Sequence, residues 1–159
     1  MTPPAAAPAA YTATISKEVI NMELISHETV RNAYLLAQQH YEPKFMEEHV
    51  MRVVATAMSM CGDNVRIDKN LVQCLAICHD LPEDTDVTFK LLAKAVSPKV
   101  SEGVKQLTKN KDGTYPHTTW RETAIVKMAD RGCNLASDFI AQRPEKLKQY
   151  IEKASKINW

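Results

Sequence analysis

The chain has 159 residues, of which 45% are hydrophobic and 25% are charged, and its formal net charge is +1. This length suits one domain with a single core, and the near-neutral charge gives no general attraction to nucleic acid polymers or anionic membranes. Only four glycines are present, and alternating β-branched runs are scarce, which argues against a sheet-rich fold.

The first residues, Met1 to Ala10, are rich in alanine and proline and lack a basic flank followed by a long apolar run. This composition predicts a disordered tail over residues 1–15 rather than a secretory signal, followed by one domain over residues 16–159. No stretch approaches the roughly 18 apolar residues that a membrane span needs. We therefore expect a cytoplasmic protein with no membrane partner.

Apolar residues then recur at three- and four-residue steps, which is the spacing of one buried helix face. The pattern predicts a first helix after Ser26, a second from about Met46 to Met60, and a third from about Asp68 to His79. Pro43 interrupts the pattern between the first two, so Tyr41 to Phe45 is predicted to form a loop.

Cap residues or prolines mark further helix starts at Thr88, at Ser97-Pro98, at Thr118 or Thr119, and at Glu145 after Pro144. The helix that begins near Thr119 is long and continues to Leu135, and the terminal helix continues to about Lys156. The polar segment Lys109 to His117 is predicted to be an exposed loop. About six or seven helices without a strand predict an all-α fold, in the form of a single compact helical bundle.

Two cysteines, Cys74 and Cys78, share a face of the third predicted helix close to His79. One interpretation is a zinc site, but a structural zinc site would need two more soft ligands at suitable spacing. The alternative, which we favour, is that both are small buried residues of the core.

The adjacent pair His79-Asp80 lies where the third helix ends, directly before Leu81-Pro82-Glu83-Asp84-Thr85. Neighbouring side chains in a helix point about 100° apart, but at a helix terminus both can lean toward one point in a cleft between helices. A divalent ion at that point would take an imidazole nitrogen and a carboxylate oxygen, and it would need further ligands from other helices.

His49 and Asp130 are the best candidates for these further ligands, because each lies in a predicted helix with apolar flanks. The alternative for Asp130 is an ion pair with Arg131 or a nearby lysine, since buried charges are normally paired. The alternative for His49 is an ordinary core or surface histidine. The combination with His79-Asp80 favours the metal site.

The order His49, His79-Asp80, Asp130 resembles the HD phosphohydrolase superfamily. Three segments are similar to the hydrolase domain of RelA/SpoT-type alarmone enzymes and their small stand-alone relatives. They are residues 79–85, residues 104–109, and residues 126–131 followed by Asn134. The similarity extends over about Ala33 to Ile157. The family fold is a helical bundle, which agrees with the periodicity.

The resemblance implies that a divalent metal, commonly manganese, is held by His49, His79, Asp80 and Asp130. Two imidazoles and two carboxylates also accept iron or zinc. Glu83 and Asp84 match the acidic pair that orients or deprotonates the attacking water. On the substrate side the matching residues are Lys109, Arg131 and Asn134. The implied reaction removes the 3′-pyrophosphate from guanosine tetra- or pentaphosphate, so the expected partner is a small nucleotide.

Two segments depart from the alarmone hydrolases. Tyr41 to Glu48 is shorter and more acidic than the basic loop found there, and Lys44, its only cation, is the substrate-binding candidate of this segment. The stretch between Lys109 and Lys127 is also shorter. These departures motivate a second hypothesis, an HD nucleotidohydrolase of another nucleotide such as a deoxynucleoside triphosphate or a dinucleotide cofactor. A third is a non-catalytic HD module that binds a nucleotide or a protein.

Aromatic residues near these segments leave two interpretations open. Tyr41 or Trp120 could stack on a base, because an aromatic face tolerates any base, or could serve in packing. His27, His40 and His117 belong to no motif. The terminal helix and Trp159 leave a homo-oligomer possible.

Overall fold

The computed structural model describes residues 24–137 and 143–155. The predicted tail over residues 1–15 and the start of the predicted domain lie outside these residues, so the domain boundary stays a prediction. The described residues form helices and contain no strand, which confirms the all-α fold and the compact bundle.

The helices follow in a simple order along the chain. The first part contains α1 (His27–His40), α2 (Pro43–Phe45), a π-helical turn (Met46–Val50) and α3 (Met51–Cys61). The middle contains α4 (Lys69–Cys78), α5 (Leu81–Asp84), α6 (Phe89–Ala95) and α7 (Pro98–Leu107). The last part contains α8 (Arg121–Leu135) and α9 (Pro144–Ser155).

Several predicted helix starts are confirmed by their N-caps. The side chains of Ser26, Thr88 and Ser97 each accept a hydrogen bond from the backbone N–H three residues further along the chain. Asp68 does the same at the start of α4. These caps satisfy N–H groups that have no partner within the helix, which is why the short polar residue fixes the start.

The prediction of a loop from Tyr41 to Phe45 is wrong in part. Pro43 is the first residue of α2, and the chain runs from there through the π-helical turn directly into α3. Proline is tolerated at this position because the first turn has no N–H bond to lose. Pro43 therefore begins this helical segment, and the bend lies at Tyr41 and Glu42.

The long helix α8 begins at Arg121, later than Thr118 or Thr119. The backbone N–H of Thr119 donates to Gln106 Oε1 at 3.0 Å, and the Thr123 hydroxyl donates to the same oxygen at 3.0 Å. Gln106 on α7 thus holds the chain outside the helix up to Trp120. At the other end of the chain, the predicted helix end at Lys156 lies outside the described residues.

The central helix of the bundle is α4, which packs against α1, α3, α7 and α8. From Leu71 onward every residue of α4 except Gln73 is buried, as expected of a helix in the middle of a core. Its buried residues are Leu71, Val72, Cys74, Leu75, Ala76, Ile77 and Cys78. Because α4 is central, the residues directly after it lie between the neighbouring helices.

The core interpretation of Cys74 and Cys78 is confirmed, since both are buried free thiols. Burial raises the pKa of Cys74 to about 12, so it stays a neutral thiol. Among the described residues, none of the helices combines the length and the apolar content that crossing a bilayer requires.

Candidate metal centre

Three separate elements place the four predicted metal ligands. His49 lies in the π-helical turn Met46–Val50, His79 and Asp80 lie in the break between α4 and α5, and Asp130 lies in α8. Single π-turns inside helices occur frequently at functional sites. Asp80 has φ −101° and ψ 0°, a sparsely populated backbone region in which many active-site residues occur.

The four side chains converge on one point. His49 Nε2 lies 3.3 Å from His79 Nε2, 3.5 Å from Asp80 Oδ2 and 3.2 Å from Asp130 Oδ1. His79 Nε2 lies 3.1 Å from Asp80 Oδ2 and 3.5 Å from Asp130 Oδ1. All four ligand atoms lie within 4.8 Å of one another. The structure thus brings together the four residues that the sequence predicts as ligands.

These separations fit one shared cation. Two ligand atoms that each lie about 2.1 Å from an ion, at an angle of 90° to 110°, are about 3.0 to 3.4 Å apart. The donor set of two imidazole nitrogens and two carboxylate oxygens suits a divalent ion. The cluster therefore fits a divalent metal.

Surrounding hydrogen bonds orient the ligands. His79 Nδ1 lies 2.7 Å from the carbonyl oxygen of Ala76, which can only accept, so Nδ1 carries the proton and donates it. In the neutral form of His79 this bond leaves the Nε2 lone pair facing the cluster, which is the tautomer that metal ligation needs. On α8, Asn134 Nδ2 donates to Asp130 Oδ1 at 3.1 Å.

Tyr41, one of the two candidates for stacking on a base, also contributes to this support. Its hydroxyl accepts the backbone N–H of Asp80 at 3.2 Å, and its side chain is buried beside Phe45. Burial, together with the Asp80 carboxylate, raises the pKa of Tyr41 well above its usual range. The phenol therefore stays neutral, and Tyr41 packs beneath the cluster.

The charges of the four ligands depend on one another. Burial lowers the pKa of His49, but its hydrogen bonds to the Asp130 and Asp80 carboxylates, which accept, outweigh burial and raise the pKa to about 9. Burial acts to raise the pKa values of Asp80 and Asp130, yet the two histidines hold both well below the usual range of an aspartate. Without a metal, the nearby carboxylates therefore favour a proton on these imidazoles, and a cation that binds here takes its place.

A pH dependence of metal affinity follows from His49. Its pKa of about 9 lies above the ordinary 6.5, so below about pH 9 an incoming cation must displace the proton. The affinity should therefore rise between about pH 7 and pH 9, by about tenfold per pH unit for each displaced proton. Calorimetric titration in two buffers of different ionisation enthalpy measures the released protons. An affinity independent of pH would contradict this assignment.

The acidic pair lies at the mouth of a cleft beside the cluster. Glu83 and Asp84 on α5 line a cavity of about 250 Å³ together with His49, Asp80 and Asp130. Glu83 Oε1 accepts the backbone N–H of Lys109 at 2.9 Å, which ties α5 to the loop after α7. Burial, and then the Asp80 and Glu83 carboxylates, raise the pKa of Asp84.

The structure places three of the four predicted substrate-side residues in this cavity. Lys109, Arg131 and Asn134 line the same cavity as the acidic pair. Lys44 is exposed on α2 and is not among the residues that line it. Trp120 is half-buried, packs against the core and lines a separate groove between α6 and α7. The packing interpretation of Trp120 thus agrees with the structure.

Three residues at the site are missing from the sequence prediction. Phe45 stacks near His49 with ring centroids 5.0 Å apart, Tyr115 lies in the cleft, and Lys127 is buried beside it. Lys127 comes three residues before Asp130 on α8, so helical spacing could have indicated it. Tyr115 lies in an irregular loop, where no periodicity identifies it.

The comparison with protein families agrees with this geometry. The profile of the HD domain matches residues 46–135, which is more than half of the chain and includes all four ligands and the acidic pair. A search of curated proteins and a search of solved structures found no match. HD domains are in general metal-dependent phosphohydrolases. The chain belongs to the HD-domain family.

Proposed function

We propose that this protein is a metal-dependent pyrophosphohydrolase of a purine nucleotide, with guanosine 3′,5′-bis(diphosphate) as its substrate. The observation that carries the proposal is the convergence of His49, His79, Asp80 and Asp130 beside a cleft that also contains an acidic pair and cationic residues. The alarmone substrate rests on the similarity of residues 79–85, 104–109 and 126–131 to the RelA/SpoT-type hydrolases.

The four ligand residues would hold the ion, for which manganese is the first candidate. A divalent ion bound there lowers the pKa of a water molecule and neutralises phosphate charge. The residues of the chain supply the other requirements. Asn134 fixes the Asp130 carboxylate, and the Ala76 carbonyl fixes His79, so the ligand atoms need no rearrangement.

The acidic pair, Glu83 and Asp84, serves the proton transfer. The raised pKa of Asp84 makes its carboxylate a stronger base than an ordinary aspartate, which suits the role of proton acceptor. In the proposed step the water oxygen bonds to the phosphorus attached to the 3′-oxygen, and Asp84 takes the proton from the water. The bond between phosphorus and the 3′-oxygen breaks, the proton that Asp84 accepted passes to the 3′-oxygen, and inorganic pyrophosphate is released. Glu83, held by the Lys109 amide, orients the water.

The acidic segment from Tyr41 to Glu48 and the exposed position of Lys44 favour a second candidate within the same chemistry. A basic loop before the first histidine helps to hold the guanine nucleotide in the alarmone hydrolases, and this chain has only Lys44 there. A hydrolase of a deoxynucleoside triphosphate or of a dinucleotide cofactor would not require that loop.

A nucleotide panel distinguishes these functions. The manganese-loaded protein is incubated with guanosine tetraphosphate, a deoxynucleoside triphosphate and a dinucleotide cofactor, with EDTA-treated protein as the blank. We expect inorganic pyrophosphate to be released from guanosine tetraphosphate only when metal is present. Intact guanosine tetraphosphate beside a cleaved triphosphate or dinucleotide would reject the alarmone substrate. A metal-loaded protein that binds nucleotides but cleaves none would be a binding module.

A further inference from the structure

Two buried cations on α8 flank the metal ligand Asp130. Lys127 is 4% exposed and Arg131 is 8% exposed, and they lie one helical turn apart. Lys127 Nζ and Arg131 Nε are both buried without a hydrogen-bond partner. Within the described part of the chain, neither residue forms an ion pair with a carboxylate. Neither positive charge therefore has a carboxylate within ion-pair distance among the described residues.

Burial of two cations without an acidic partner lowers the stability of the folded protein. Charged groups in an interior are normally paired, because an unpaired buried charge loses its hydration without gaining a partner. Apolar residues of similar shape at these two positions would avoid this penalty. The presence of two adjacent buried cations therefore points to an anion that binds between them.

Tyr115 covers the two cations in the present structure. The centroid of its ring lies 4.4 Å from Lys127 Nζ and 5.2 Å from the guanidinium carbon of Arg131. Its hydroxyl accepts a hydrogen bond from Arg131 Nη2 at 2.6 Å. The ring face and the neutral hydroxyl attract the cations only weakly compared with a phosphate, which accepts charge-assisted bonds and matches the planar guanidinium.

The cations lie directly behind the metal centre. Lys127, Arg131 and Tyr115 line a recess of about 30 Å³, which is also lined by His79 and by the carboxylate residues Asp80, Glu83 and Asp130. A volume of about 30 Å³ is the share of one water molecule. Tyr115 and Arg131 also line the larger cleft, so the recess opens toward the substrate when Tyr115 moves aside.

We propose that Lys127 and Arg131, with Tyr115 as a displaceable cover, form a pocket for the second phosphoryl group of a diphosphate whose first phosphoryl group lies at the metal centre. The pocket selects ligands that contain a P–O–P bridge over monophosphates. The inference rests on the proposed function for the identity of the reacting phosphate. The binding of the second phosphoryl group depends only on residues of this pocket.

The test is a calorimetric titration with inorganic pyrophosphate and, separately, inorganic phosphate. Wild-type protein is loaded with one equivalent of Mn²⁺ and freed of excess metal, and the titration is repeated in EDTA. Lys127→Met keeps the length of the side chain and removes its charge. Lys94→Met, at an exposed position on α6, is the matched control. Thermal unfolding confirms that both variants are folded.

We expect pyrophosphate to bind the wild type more tightly than phosphate. Lys127→Met should weaken pyrophosphate binding by about 10- to 100-fold, the usual effect of losing a hydrogen bond to a charged group, and should remove the preference over phosphate. Lys94→Met should match the wild type. Lys127→Met should also unfold at the same or a higher temperature, because a purely structural lysine would show the opposite change.

Equal pyrophosphate affinities in the wild type and in Lys127→Met would overturn the pocket, as would a wild type that binds no pyrophosphate with or without metal. The metal content is measured separately by elemental analysis. A wild type that takes up no ion contradicts the proposed hydrolase, whereas a Lys127-dependent pyrophosphate affinity in EDTA still supports the pocket. The two failures can therefore be distinguished.

Discussion

Asp130→Ala and His79→Ala are expected to lose the bound metal and the hydrolytic activity together. Each variant removes one of four ligand atoms that lie within 4.8 Å of one another. A catalytic metal contributes several kcal/mol to stabilisation of the transition state, so turnover should fall by about 10³-fold or more. Elemental analysis of the purified variants and a pyrophosphate-release assay measure the two losses.

A second histidine–aspartate pair provides the matched control. His40 Nδ1 lies 3.0 Å from Asp86 Oδ1, outside the cleft. Asp86→Ala and His40→Ala remove the same residue types from a surface position, and both variants should keep metal and turnover. An Asp130→Ala protein with wild-type metal content and rate would remove Asp130 from the site.

Asp84→Asn is expected to keep the metal, and its rate of hydrolysis should fall by a factor of about 10² to 10⁴, which is the usual contribution of general acid–base catalysis. The amide cannot take the proton from the attacking water. In the wild type, kcat/KM should fall as the pH drops below the raised pKa of Asp84, because only the ionised carboxylate can act as the base. Rate profiles against pH for the wild type and for Asp84→Asn check this, and the acid limb should disappear in the variant.

Glu83→Gln serves as the comparison for Asp84→Asn. The amide oxygen of glutamine can still accept the Lys109 N–H that Glu83 Oε1 accepts in the wild type. The rate of Glu83→Gln is therefore expected to fall less than the rate of Asp84→Asn. If Glu83→Gln instead lost more activity than Asp84→Asn, Glu83 would be the proton acceptor and Asp84 would orient the water. Unchanged rates in both variants would exclude the acidic pair from the mechanism.

Much of the fold could be predicted from the sequence because it depends on local signals. Ser26, Thr88 and Ser97 cap their helices through contacts with residues three positions away. The start of α8 could not be predicted in the same way. It depends on Gln106, which is distant in the sequence and holds the Thr119 N–H.

The metal centre was predictable for a different reason. Residue types that bind divalent ions stand in a family-specific order, and the HD-domain match over residues 46–135 agrees with that order. The order of these residues in the sequence does not predict how their side chains are oriented. That depends on the π-helical turn at His49, on the Ala76 carbonyl that fixes His79, and on the Tyr41 hydroxyl that accepts the Asp80 N–H.

The substrate side was the least predictable part of the site. The sequence suggests Lys44 as a substrate-binding residue because it is the only cation in the segment from Tyr41 to Glu48. In the structure Lys44 is exposed and lies outside the cleft. Tyr115 enters the cleft from a loop whose path depends on Asn110 and Thr114, which form hydrogen bonds with each other. A loop path of this kind is fixed by tertiary contacts, and composition alone does not reveal it.

The most direct test of the shared cation is a crystal structure of the manganese-loaded protein with anomalous scattering data. If the four residues share one cation, the map contains one strong anomalous peak at about 2.0 to 2.3 Å from Nε2 of both histidines, from Asp80 Oδ2 and from Asp130 Oδ1. A peak elsewhere in the molecule, with imidazoles and carboxylates still bonded directly to each other, would contradict it.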